Sequence, residues 1–425
     1  MGLLPSLGRN LRNDILEVMG RPPLMRLVRS LLPILLILPP PVHAYSVLTH
    51  EALIDRDWDR SLKPILLQRF PAATPDELKE AHAYAYGGAI IQDMGYYPFG
   101  SKFFSNLTHY TRSGDFVVAL LHDAQDLNEY AFALGALAHY AADNEGHPVA
   151  VNRAVPLLYP KLRTKFGSNI TYEDNPTAHL KTEFAFDIVE VARGKYASES
   201  YHDFIGFKVS KPLLERAFAD TYSLELKDQF RSIDLALGTY RYTVSQVIPE
   251  LTAAAWSTKK ADIQKLQAGM TRSKFVYRLN TASYRKEWNE QYEKPGPGAR
   301  LLALFFRLIP KVGPFKALGF KVPTPETEKL FEASFNGVME RYQALLADLK
   351  ANRLKLANDN FDTGKPTRLG EYRMADDTYA ELLQHLTKSK LTPTPELRAN
   401  VLAFYGASEP PEKARAELQT LRTQN

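Results

Sequence analysis

The 425-residue chain contains no cysteine. That excludes disulfides, thiolate zinc fingers, a cysteine nucleophile, iron–sulfur ligation and a lipoprotein anchor. Any metal site must be built from histidine and carboxylate, with only 10 histidines to draw on. Sustained alternation of apolar and polar residues is also missing, so strands are expected to be few. No phosphate loop, dinucleotide fingerprint, zincin motif or serine elbow occurs. Excess charge is modest: the formal net charge is +5 and the pI about 9.0, a weak pull towards anionic partners. At 45% hydrophobic and 24% charged residues, the composition is that of a globular chain of two or three ordinary domains.

What is present starts with a leader. Arg9, Arg12, Arg21, Arg26 and Arg29 precede an apolar run over residues 31–38, and a proline-rich exit ends in Val42, His43 and Ala44. A basic region, a short apolar core and a small-residue exit resemble a secretory signal, and the run is too short to span a bilayer comfortably. Cleavage is expected after Ala44, giving a secreted or periplasmic protein that starts at Tyr45. Residues 1–44 carry five arginines against Asp14 and Glu17, so their removal lowers the net charge from +5 to +2. A general polyanion-binding reading loses most of its support with them.

The mature chain reads as all-α. Thr74, Pro75 and Glu77 form a cap, a first-turn proline and a capping-box acid that open a helix to about Gln92. An Ala- and Leu-rich helix is expected over about 126–142, with Gly146 and Pro148 ending it so that His147 points into a loop or cleft. A third helix starts near Asn175 and Pro176 and runs to about Arg193. Thr324–Pro325 and Thr394–Pro395 open later helices, the first extending over 325–352. Residues 294–298 (KPGPG) form the clearest break, and residues 358–365 read as a loop. The expected organisation is a signal peptide over 1–44, a catalytic domain over 45–250 and a helical C-terminal region over 251–425.

The candidate chemistry lies in the histidines. His50 stands near the start of the mature chain, Asp93 ends the first helix, and His109 follows. His139 and Asp143 are four residues apart on one helix, as are His179 and Glu183, with His147 four residues after Asp143. That spacing puts both members of a pair on one face, where they can share a metal. A single His–Asp pair is ordinarily a surface hydrogen bond. Two such pairs with three further histidines point instead to a multinuclear site.

Order and residue types over about 45–190 resemble the zinc-dependent phospholipase C family, which shares its fold with the zinc-dependent single-strand nucleases. The resemblance implies an all-helical domain holding three zinc ions. Tyr45, through its amino group and carbonyl, would bind one ion with His50. Asp143 would bridge it to a second, which also takes Asp93, His109 and His139. The third would take His147, His179 and Glu183. Only a free amine at Tyr45 can coordinate, which agrees with cleavage after Ala44. The family usually begins its mature chain with tryptophan rather than tyrosine, and the step from Asp143 to His147 is short for it.

Clustered zinc suits phosphodiester hydrolysis, with attack of a zinc-bound hydroxide on phosphorus. Asp93 is either a ligand or the general base that orients the water. The substrate expected is phospholipid, with nucleic acid as the alternative and a non-catalytic zinc-binding protein as a third reading. Tyr96, Tyr97, Phe99, Phe103 and Phe104 would suit a quaternary ammonium head group, a stacked base or simple packing. Residues 299–322 are apolar and aromatic, carry Arg300, Arg307, Lys311, Lys316 and Lys321 with no acid, and suit either peripheral contact with an anionic lipid surface or a buried helical hairpin.

Overall fold

Helix α1 (Val47–Asp57) opens on a buried tether. The Leu48 N–H donates to Asp187 Oδ2 at 3.3 Å and the Thr49 hydroxyl donates to Asp187 Oδ1 at 2.6 Å. The computed structural model describes residues 47–192, 207–244, 248–266, 268–275, 320–389, 391–406 and 412–423. These belong to a single folded unit, Pro41–Asn425. The expected leader, Tyr45, the break at 294–298 and all of 299–322 except its last three residues lie outside the described residues.

Among the described residues the chain is all-α apart from one two-stranded ladder. Helix α2 (Pro75–Ile90) begins as its capping box dictates, with the Glu77 N–H on Thr74 Oγ1 and the Thr74 N–H on Glu77 Oε2. It stops two residues short of Gln92 and tightens into a 3₁₀ turn over Ile91–Tyr96 that carries Asp93. Helix α3 (Lys102–Tyr110) is capped by Ser101 and ends with His109 in its last turn. Helix α4 (Leu127–Gly146), capped by Asp126, is buried on nearly every side, as its Ala- and Leu-rich sequence allows.

The α2–α4 crossing is close enough to need glycine. A Cβ on Gly88 would lie 1.8 Å from the Phe132 carbonyl oxygen, and one on Gly135 would lie 2.0 Å from that of Ala85. The two backbones therefore touch, and the Ala89 carbonyl comes within reach of His139.

The expected end of α4 is corrected. Gly146 and Pro148 do not turn His147 into a loop. The helix widens into a π turn over His147–Val151, and a helix over Asn152–Leu158 continues it. A π turn bonds five residues apart, as the Asn152 N–H does to the His147 carbonyl, and so absorbs a proline without ending the helix. His147 stays buried.

Helix α5 (Pro176–Ala192) begins where expected, the Asn175 side chain accepting the Ala178 N–H. Helix α6 (Pro325–Lys350) packs on α4, its Tyr342 hydroxyl donating to the Leu134 carbonyl at 2.9 Å. After it, the expected loop is a hairpin. Strands β1 (Asp359–Asn360) and β2 (Lys365–Pro366) pair antiparallel, with Asp359 opposite Pro366 and Asn360 opposite Lys365. Its turn contains Gly364 at φ 64°, where a Cβ would meet the Asn144 carbonyl at 2.5 Å. A helix over Arg373–Ser389 then packs on α3, and one over Pro395–Tyr405 follows from the Thr394 cap. None of the described helices is long and apolar enough to cross a membrane.

Candidate metal centre

His109 and His139 arrive from different helices with the same polarity. His109 Nδ1–H donates to the Ser105 carbonyl at 2.7 Å, and His139 Nδ1–H donates to the Ala89 carbonyl at 2.9 Å. Each backbone bond fixes the tautomer, so both Nε2 lone pairs point inwards. What they face is carboxylate. His109 Nε2 lies 3.3 Å from Asp93 Oδ1 and 3.4 Å from Asp143 Oδ2, and His139 Nε2 lies 3.2 Å from Asp143 Oδ2. His50 Nε2 approaches the other oxygen, Asp143 Oδ1, at 3.5 Å, with its ring stacked on His139. Asp93 is placed by the 3₁₀ turn, which Ser105 ties to α3. The Ser105 hydroxyl donates to the Gln92 carbonyl and accepts the Gly95 N–H.

All of these groups are buried. His139 Nε2 and both oxygens of Asp143 have no hydrogen-bond partner. Buried polar atoms left unpaired cost about 1–3 kcal/mol each. A cation removes that cost, and the surrounding carboxylates attract one, a proton on a ring or a metal ion alike. Burial opposes a charge on His109, yet Asp143 and Asp93 outweigh it and raise its pKa to about 9. Burial likewise opposes the Asp143 carboxylate, but His139, His109 and His50 hold it well below its ordinary range.

A second cluster lies along the π turn. His147 Nδ1 stands 3.0 Å from Asp362 Oδ1 and His179 Nε2 3.7 Å from the same oxygen, with the two rings stacked at 4.9 Å between centroids. His147 Nε2 is 4.0 Å from Asp143 Oδ2, so the clusters adjoin. Glu183 stands behind His179, Oε1 on Nδ1 at 2.6 Å, while His179 Nε2 meets Asn152 Oδ1 at 2.7 Å. Burial, then Asp93 and Asp143, push the Glu183 carboxyl well above its usual range. Burial lowers His179 to about 3 and keeps its ring neutral.

Three groups have their ligand atoms within 4.8 Å of one another: His50, His139 and Asp143; Asp93, His109 and His139; and His147, His179 and Asp362. Imidazole nitrogen and carboxylate oxygen are the donors zinc takes in the absence of thiolate. Every sequence-derived ligand among the described residues is at this centre. Glu183 reaches it through His179 rather than within a group, and Tyr45 lies outside the described residues. Asp362 is the residue that sequence reasoning missed. It sits in a polar stretch that reads as a solvated turn, and no helical spacing links it to a histidine. Of the aromatics between Asp93 and His109, Tyr97, Phe103 and Phe104 are core packing residues. Tyr96 packs edge-on against His109, and Phe99 is half-buried at φ 63°.

Compared with known families, residues 49–232 match the model for zinc dependent phospholipase C. No curated protein and no solved structure matches the chain.

Proposed function

We propose, from the match of residues 49–232 to the model for zinc dependent phospholipase C, that this protein is an exported phosphodiester hydrolase that holds three zinc ions and cleaves phospholipid head groups. One observation carries the reading: buried histidine nitrogens and carboxylate oxygens converge in three groups, the ligand atoms of each within 4.8 Å of one another.

In this reading His50 and Asp143 hold the first ion together with the processed amino terminus at Tyr45. Asp93, His109, His139 and Asp143 hold the second, and His147 and His179 hold the third. Zinc bound there lowers the pKa of a coordinated water and polarises phosphoryl oxygens. The chain's own part is orientation. The Ser105 and Ala89 carbonyls keep the His109 and His139 lone pairs inward, and Asp143 spans two groups with its two oxygens. Asp93, fully buried and facing His109, serves as a ligand. A cavity of about 350 Å³ adjoins the third group, lined by Asn152, Asn360, Lys365, Arg368 and Tyr372 among others. Glu371 also lines it and lies 3.9 Å from Arg368, and Lys365 suits the phosphate of a diester. The basic leader supports export. The near-neutral mature charge favours phospholipid over nucleic acid, which is usually held by a basic stripe.

The test is metal analysis of the processed protein together with paired assays on phosphatidylcholine vesicles and single-stranded DNA. About three zinc per chain with vesicle cleavage is the expected result. Zinc at zero or one per chain would sink the trinuclear reading, and cleavage of DNA alone would move the substrate to nucleic acid.

A further inference from the structure

Asp362 lies beyond the matched region, 179 positions after Glu183 in the numbering, and yet its Oδ1 stands 3.0 Å from His147 Nδ1 and 3.7 Å from His179 Nε2. We propose that Asp362 is a carboxylate ligand of the third metal, so that this ion joins the C-terminal region to the matched domain. The inference rests on the zinc reading above but assigns a ligand that the reading does not supply.

Two observations carry it. First, Asp362 is about 1% exposed and its two oxygens are treated differently. Oδ2 accepts the Tyr372 hydroxyl at 2.6 Å and the Tyr172 N–H at 2.9 Å, whereas Oδ1, the atom facing both histidines, has no hydrogen-bond partner. One oxygen anchored and one presented is the arrangement of a monodentate ligand with its supporting shell. Second, the hairpin is built to deliver it. Asn360 Oδ1 accepts the Asp362 N–H, Asn152 Nδ2 donates to the Asp362 carbonyl, and the Phe361 N–H donates to the carbonyl of His109, itself a group member. Phe361 packs edge-on against the His109 ring and tilted against that of His139.

The experiment uses the full processed chain and metal content, not activity. Asp362→Asn is expected to bind one zinc fewer than wild type. Asp362→Cys supplies a positive signal. The chain has no other thiol, so cobalt loading should produce thiolate-to-cobalt charge-transfer absorption. Loss of one cobalt equivalent in that variant counts for the proposal in the same way as the loss in Asp362→Asn. Full zinc in Asp362→Asn overturns it. So does an Asp362→Cys protein that binds wild-type amounts of cobalt without the absorption. Wild-type protein that binds no zinc would overturn the functional reading instead, so the two failures are distinguishable.

Discussion

His139 belongs to two of the three groups, and its ring is held from behind by a carbonyl on another helix. Replacing it should therefore do more than remove one ligand. His139→Ala is expected to lower zinc content and to reduce phosphodiester hydrolysis by more than about 100-fold, beyond what loss of an outer partner alone produces. Circular dichroism should show the helices retained. Activity that survives with full zinc would place the chemistry elsewhere. At this scale the sequence was informative wherever two ligands share a helix. The four-residue spacing of His139 with Asp143, and of His179 with Glu183, is a local property of the α-helix. That Asp362 meets His147 and His179 is not, because it comes from a hairpin, and no period connects that hairpin to α5.

Helix starts were legible because capping chemistry is local: a threonine, a proline and an acid satisfy the first orphan N–H groups wherever they occur. Helix ends were less so. The π turn at His147–Val151 keeps a proline inside a continuing helix, and the 3₁₀ turn at Ile91–Tyr96 re-aims Asp93. Both depend on what packs around them. Two substitutions separate the local from the tertiary contribution. Thr74→Ala removes the cap from the exposed start of α2 and should cost about 1 kcal/mol in urea denaturation with zinc content unchanged. Gly135→Ala forces α4 away from α2 and should cost about 1–3 kcal/mol. It should also lower zinc content, because it pulls His139 from the Ala89 carbonyl. Unaltered zinc in Gly135→Ala would mean that the helix crossing does not position the centre.

For the whole molecule, the leader and the metal centre make one joint prediction. Amino-terminal sequencing of the exported protein should begin at Tyr45, and a protein made with an extra residue before Tyr45 should lose one zinc, since an amide nitrogen is a poor ligand. Equal zinc in both forms would remove the terminus from the site. The metal groups also take residues from both sides of position 250, because Asp362 joins histidines of the matched region. By itself the sequence determined the donor chemistry. A chain without cysteine can offer zinc only histidine and carboxylate, and helical spacing already pairs four of them. It also determined the helical class, through capping signals and the absence of alternation. Only the tertiary structure decided which nitrogen of each histidine faces inward, where α2 and α4 touch, and that a hairpin late in the chain closes the third group. Those outcomes depend on backbone carbonyls and distant segments meeting in space, and neither leaves a periodic trace along the chain.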